Sequence, residues 1–266
     1  MPSSRTGAEA PVAVVTGGAT GVGAATAIAL AKRGYRIAIN YSRSAKEAEE
    51  TVAVCKDSGA DAIAAQGDVA DDAACRAIVE AAVKRFARVD ALVNSAGTTQ
   101  FVPLSDLDGQ QAEDFHKIYA VNVIGPYQMA RAAAPHMRRG GAGAIVNVSS
   151  VGSLNGNGSS YSYVTSKAAL NTLTLALARN LAPEIRVNAV LPGLIETRWL
   201  KVGLGDEVYQ RVREGWADAA ALQKTCTADD VAQTIVWLVA DAALVTGQLL
   251  TVDGGFLLGR PTRVAR

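Results

Sequence analysis

Val12-Ala13-Val14-Val15-Thr16-Gly17-Gly18-Ala19-Thr20-Gly21-Val22-Gly23 is a short β-branched run that passes directly into glycines. Helical periodicity follows from about Val22 to Arg33, and Gly34 is a natural stop. Such a turn suits an anion in two ways. Glycines let the backbone bend sharply and approach a ligand without interference from Cβ atoms. The helix end offers unpaired N–H groups and a partial positive charge. The segment therefore reads as a dinucleotide loop, with an ordinary strand-to-helix turn as the alternative. Three residues, rather than one, separate Gly17 from Gly21, so the spacing departs from the common Gly-x-Gly-x-x-Gly pattern.

Outward from this segment, Arg36–Tyr41, Ala62–Gln66, Ala91–Asn94, Ala144–Ser149, Ile185–Leu191 and Gln248–Val252 read as further strands. Helical stretches at about Ala45–Ser58, Asp71–Phe86, Gln110–Arg139, Ser162–Leu181 and Asp229–Ala240 lie between them. Strands alternating with helices predict parallel pairing through right-handed crossovers. The expected fold is α/β: a doubly wound, mostly parallel, seven-stranded sheet with helices on both faces, Rossmann-like. Ligands of such sheets bind at the carboxyl ends of the strands, so the residues just after each strand are the candidates for a site. No linker or composition shift divides the chain. Residues 1–10 read as a polar tail and 11–266 as one dinucleotide-binding and catalytic domain.

Composition narrows the function classes. The chain has 266 residues, 49% hydrophobic, with 26 Lys and Arg against 25 Asp and Glu. That balance argues against an electrostatic nucleic-acid binder. The apolar runs are too short for a membrane span. Cys55, Cys75 and Cys226 lack metal-like or redox spacing and read as reduced thiols of a cytoplasmic protein. With only His116 and His136, neither a metal site nor a Ser-His-Asp triad is expected.

The pattern Thr-Gly-x-x-x-Gly-x-Gly over Thr16, Gly17, Gly21 and Gly23 resembles the short-chain dehydrogenase/reductase family. Further matches follow in order: Asp68-Val69 after the third strand, Asn94-Ser95-Ala96-Gly97 after the fourth, Asn122 in the long helical region, Pro192-Gly193 with Ile195 and Thr197, and Asp253-Gly254-Gly255. Ser95 departs from the family's Asn-Asn-Ala-Gly. Together the matches span about Val12 to Gly255. The resemblance implies cofactor contacts at Thr16, Gly17, Thr20, Gly21, Val22 and Gly23 for the diphosphate. It places Asp68 and Val69 at the adenine, and Asn94, Ala96, Gly97, Pro192, Gly193, Ile195 and Thr197 toward the nicotinamide end.

Tyr163 and Lys167 are four apart in a helical stretch, so they share a face. A phenol titrates near pH 10 in water, and a nearby cation favours its ionised form. Tyr163 can then exchange a proton with a substrate oxygen. Tyr161 has only Thr165 at the same spacing, which makes it the weaker candidate. Ser150 follows a strand, thirteen positions before Tyr163. The resemblance assigns it the hydrogen bond to the reacting oxygen, with Ser149 as the neighbouring alternative. It also implies that Lys167 tunes Tyr163 and bonds the nicotinamide ribose, and that Asn122 holds a water on the proton path.

The second strand ends in Tyr41, Ser42 and Arg43, without the carboxylate that selects an unphosphorylated ribose. Arg43 with Ser42 could hold a 2′-phosphate, so NADP(H) is favoured over NAD(H). Ala19-Thr20 stands where many NADP-using relatives carry a basic residue. The expected substrate is a small carbonyl or alcohol, thioester-linked ones included. The resemblance implies contacts from Thr98 to Phe101, from Leu154 and Asn155, and from an amphipathic lid at about 197–220 with Trp199, Leu200 and Trp216. The subgroups most alike are 3-oxoacyl-[acyl-carrier-protein] reductases and sugar 1-dehydrogenases, which implies a homotetramer. The alternatives are an NAD-dependent alcohol or sugar dehydrogenase, and a non-catalytic dinucleotide sensor or scaffold.

Overall fold

A computed structural model describes residues 10–260 except Thr197, with residues 198–200 described in backbone only. The polar tail, apart from Ala10, and Thr197 therefore lie outside the described residues, as do the side chains of Trp199 and Leu200.

Seven strands form one sheet: β1 (Val12–Thr16), β2 (Arg36–Tyr41), β3 (Ala62–Gln66), β4 (Ala91–Asn94), β5 (Gly143–Val148), β6 (Ile185–Pro192) and β7 (Leu249–Val252). Their spatial order is β3-β2-β1-β4-β5-β6-β7, and every pairing is parallel. The order reverses between β1 and β4. The crevice in which doubly wound sheets bind ligands lies beyond the strand ends at such a reversal. The register sets Thr16 beside Asn94 and Asn94 beside Asn147, so three strand ends finish level.

Parallel strands need crossovers, and helices α1 (Gly21–Lys32), α2 (Ala45–Asp57), α3 (Asp72–Phe86), α4 (Ala112–Tyr119), α5 (Gly125–Arg139), α7 (Tyr161–Leu181) and α10 (Ala228–Ala240) provide them. One core layer joins Ala27, Leu30, Val52 and Ile235 to the sheet, and the other joins Ile78, Met129, Met137 and Leu92. The central strands are consequently covered on both sides, which is why β1 is apolar and buried along its whole length, whereas Leu250 and Thr251 of the edge strand β7 are exposed.

The long helical region expected at Gln110–Arg139 is divided. A π turn, Ala120–Ile124, separates α4 from α5. Pro126, near the start of α5, has no N–H to return to the carbonyl of Asn122 four positions back, so the ordinary α-helical bond cannot form there. The Gly125 N–H reaches back five residues, to the Ala120 carbonyl. The extra residue turns Asn122 fully inward. The strand expected to end at Ser149 ends at Val148. A short helix α6 (Gly152–Asn155), unmarked in the sequence pattern, follows Ser150. The segment expected as a lid consists of α8 (Arg198–Leu204) and α9 (Asp206–Ala219), separated by Gly205.

Candidate active site

The glycine loop is fixed by its neighbours before any ligand is considered. Thr16 Oγ1 accepts from the backbone N–H groups of Ser95 and Ala96, both at 3.1 Å, so the β1 and β4 exit loops are joined. Gly17 has φ +60°, and a Cβ on it would lie 2.8 Å from Ala96 Cα; a Cβ on Gly23 would overlap the Gly17 carbonyl. The Thr20 side chain does not cap α1, and the first turn of that helix carries no acid. Gly21, Val22 and Gly23 thus present an uncapped amino end beside a loop that only glycine could make this close, which fits a diphosphate.

Asn40 is a residue that the sequence reading missed. It is buried at the end of β2, and its Oδ1 accepts from Gly17 N at 3.4 Å. Its Nδ2 donates to the carbonyls of Ala65 (3.2 Å) and Gly67 (2.9 Å). Asn40 therefore ties the ends of β2 and β3 to the glycine loop. The available signal was an amide within an otherwise apolar strand. Beyond it Tyr41 is partly buried, while Ser42 and Arg43 are exposed. Asp68 is exposed at the next strand end, its carboxylate accepting from Ala70 N, and Val69 turns into the core against Gly125. Asn94 also faces inward. Its Nδ2 donates to Asn147 Oδ1 at 2.8 Å, so its side chain braces β4 against β5 beneath the crevice.

The proton-handling groups converge above β4 and β5. Lys167 is buried, and its Nζ donates to the Val148 carbonyl at 2.8 Å. The same nitrogen lies 5.7 Å from the centre of the Tyr163 ring. The Ser150 hydroxyl lies near enough to the Tyr163 phenol to favour its ionised form. Asn122 uses its whole carboxamide: Oδ1 accepts from Thr98 N (2.9 Å), and Nδ2 donates to Thr98 O and Ser166 Oγ (both 3.0 Å). Gly97 sits between them. A Cβ there would lie 3.5 Å from Asn122 Oδ1 and 3.6 Å from Lys167 Nζ. Asn122, Ser150 and the Tyr163–Lys167 pair, drawn from three elements, thus come together.

The two decoys separate physically. Ser149 is buried, and its hydroxyl donates to the Lys167 carbonyl at 3.1 Å, whereas Ser150 meets the phenol. Tyr161 OH donates to the Leu104 carbonyl at 2.7 Å and belongs to the outer loop.

Burial is the larger influence on both titrating groups. It raises the Tyr163 phenol, which Ser150 partly opposes by favouring the ionised oxygen. It lowers Lys167 to about 8. The downward pull on Tyr163 therefore comes from Ser150, and Lys167 directs its hydrogen bond to the backbone. The Lys167 nitrogen, 5.7 Å from the centre of the phenol ring, also stays close to the group it is expected to tune.

The residues expected on the nicotinamide side follow β6. Pro192 O accepts from Val151 N at 3.0 Å, Gly193 N donates to Val252 O at 2.9 Å, and Ile195 bridges to Cys226. Trp216 of α9 closes this wall. Its ring stacks on Phe256 with centroids 3.6 Å apart, and a Cβ on Gly193 would lie 3.1 Å from the indole. The other lid helix meets the β4 loop, where Gly203 leaves room for the Phe101 ring. Arg213 Nε donates to Glu196 at 2.8 Å and holds α9 to the loop after β6. Among the described residues no group of three or more His, Cys, Asp or Glu side chains could hold a metal ion. No described helix is long and apolar enough to cross a membrane.

A family model described as enoyl-(acyl carrier protein) reductase matches residues 17–257. The chain is 35% identical over 248 residues to the 3-oxoacyl-[acyl-carrier-protein] reductase FabG of Staphylococcus aureus, covering 92% of this chain and 98% of the relative. It is 39% identical to an L-rhamnose 1-dehydrogenase (NAD(P)(+)) of Sphingomonas, over 93% of this chain and 96% of the relative. A solved Burkholderia xenovorans structure assigned to the short-chain dehydrogenases/reductases superposes with TM-score 0.88 at 40% identity, covering 94% of this chain and 99% of the other. The crevice, the paired loops and these likenesses agree: the chain belongs to the short-chain dehydrogenase/reductase family. It is an oxidoreductase acting on CH–OH groups with a nicotinamide dinucleotide.

Proposed function

We propose that this chain is an NADPH-dependent reductase of ketones, with 3-oxoacyl compounds, thioester-linked ones included, as the substrate class. The observation that carries the reading is the placement of the Ser150 hydroxyl beside the Tyr163 phenol, with Lys167 a turn further along the same helix face. It sets two hydroxyl groups where one carbonyl oxygen can meet both. Burial keeps the phenol protonated, which suits a group that must give up a proton to a developing alkoxide. The 3-oxoacyl reductase among the relatives supports the same direction.

When bound, the dinucleotide supplies the hydride. The chain's own residues do the rest. Tyr163 delivers the proton to the substrate oxygen, and Ser150 orients and polarises that oxygen. Lys167 holds the ribose edge and the Val148 carbonyl. Asn122 anchors the water that restores the proton by way of Lys167. The amides of Gly21, Val22 and Gly23 take the diphosphate, with Thr16, Gly17 and Thr20 shaping the loop. Tyr41, Ser42 and Arg43 receive the 2′-phosphate, and Asp68 with Val69 borders the adenine. Asn94, Ala96, Gly97, Pro192, Gly193, Ile195 and Thr197 complete the nicotinamide end. Residues 11–266 act as one unit with the lid at about 197–220, in a cytoplasmic homotetramer. The apolar side chains exposed on the helical rod and β7, Ile124, Tyr127 and Leu250, fit burial between copies. An NAD-dependent sugar dehydrogenase is the second reading, favoured by the rhamnose dehydrogenase likeness.

A panel of acetoacetyl thioesters, simple ketones and sugars, followed by loss of NADPH absorbance, tests the assignment. Thioester or ketone reduction is expected, and Tyr163→Phe should lower turnover about a thousandfold or more with dinucleotide binding retained. Near-normal turnover in that variant removes Tyr163 from the acid role. Sugar oxidation with NAD alone installs the second reading.

A further inference from the structure

Tyr163, Lys167 and Asn171 occupy successive turns on one face of α7, yet the mechanism above uses only the first two. Asn171 is 6% exposed. Its Nδ2 donates to Ser153 Oγ at 2.7 Å, and Ser153 Oγ donates to the Ser150 carbonyl at 2.5 Å. The direction of this relay is fixed by chemistry. An amide nitrogen only donates and a carbonyl oxygen only accepts, so the Ser153 proton points at Ser150.

Asn171 Oδ1 is buried without a hydrogen-bond partner among the described residues. An unpaired buried acceptor costs about 1–3 kcal/mol, which an apolar side chain of similar size would avoid. What pairs in Asn171 is its donor, and that donor reaches the backbone of Ser150 through one hydroxyl. Ser150 is held at its other atoms as well. Its Oγ accepts from Gly152 N at 3.1 Å, and the next peptide N–H, Val151, donates to Pro192 O at 3.0 Å. With Gly152 on the acceptor side, the one proton of Ser150 is left for the Tyr163 phenol.

We propose that Asn171, acting through Ser153, is a positioning residue that fixes Ser150 so that its hydroxyl is aimed at Tyr163. This rests on the catalytic reading of Ser150 and Tyr163. The competing role is a tether for α6 with no effect on the phenol.

Ultraviolet difference titration of the ligand-free protein, with Tyr163→Phe as the blank, reads the ionisation of this one phenol. Ser153→Ala and Asn171→Leu should each move it to higher pH, because the ionised oxygen loses its aimed donor. Each should also lower kcat about fivefold to fiftyfold while KM for NADPH stays within about twofold. Ser153→Thr, which keeps the hydroxyl, should restore both readouts. The double variant should be no worse than either single one, since the two residues act in series. Unchanged titration and kcat in Ser153→Ala overturn the proposal, whatever happens to the melting temperature. Should Asn171→Leu fail to fold, Ser153→Ala and Ser153→Thr decide the matter by themselves. Failure of the oxidoreductase reading is distinguishable, because wild-type protein would then turn over nothing in the carbonyl panel while the phenol titration still reports on positioning.

Discussion

Gly203 of α8 faces Phe101 so closely that a β-carbon on it would overlap the aromatic ring. Helix α8 is thus docked on the loop after β4 through a missing side chain. Gly203→Ala should push the two apart even though alanine gains about 1 kcal/mol of helix propensity. We expect substrate KM to rise about tenfold with dinucleotide affinity unchanged. Phe101→Ala in the same chain should recover part of the loss. Steady-state kinetics with a fluorescence titration of NADPH checks both, and a KM at the wild-type value in Gly203→Ala would refute the docking role.

Lys167 makes stability depend on pH in a predictable sense. Burial lowers it to about 8 from the ordinary 10.5. Folding below about pH 8 therefore confines a charged amine. That cost shrinks as pH rises toward 10.5, where the unfolded chain also loses the proton. Lys167→Met removes the dependence and adds a constant for the lost Val148 bond. The stability of the variant relative to wild type should accordingly fall by on the order of 2–3 kcal/mol between about pH 7.5 and 10.5. Urea unfolding at several pH values measures it, and a difference that does not vary with pH would count against a buried, titrating amine.

Asn40→Ala removes the groups that join Gly17, Ala65 and Gly67. Orphaned buried backbone atoms should cost about 2–4 kcal/mol. Because the glycine loop loses its rear support, NADPH affinity should fall about tenfold or more. Thermal denaturation and calorimetric titration test the two effects separately. Lost stability with unchanged affinity would confine Asn40 to the fold.

Arg43 is exposed immediately beyond β2, at the edge of the crevice. Arg43→Ala should raise the Kd for NADPH about tenfold and leave that for NADH within about twofold. Equal weakening of both would remove Arg43 from the 2′-phosphate.

Strand positions were legible because parallel strands covered on both faces must be short, apolar and bounded by turn residues. Arg36–Tyr41, Ala62–Gln66 and Ala91–Asn94 have the expected limits for that reason. The shared face of Tyr163 and Lys167 was legible from helix spacing, whereas Ser150 was singled out by the family resemblance. Other features were hidden. Asn40 and Asn94 face inward, and polarity alone does not tell an outward amide from a bracing one. The Gly203–Phe101 contact joins residues about a hundred positions apart, which no local pattern encodes. The bond from Lys167 to the strand-end carbonyl of Val148 is likewise visible only in three dimensions.

The π turn at Ala120–Ile124 amounts to a phase shift of one residue along a single rod. Each helical residue advances the direction of a side chain by about 100°. Deleting one residue from this turn could heal the rod into a continuous helix, but everything on one side of the deletion would rotate by that angle relative to the other. Asn122 could then no longer face both the Thr98 backbone and Ser166. The irregularity that shortens the helix is therefore what keeps its two halves in separate rotational settings, one matched to the outer loop and the other to α3.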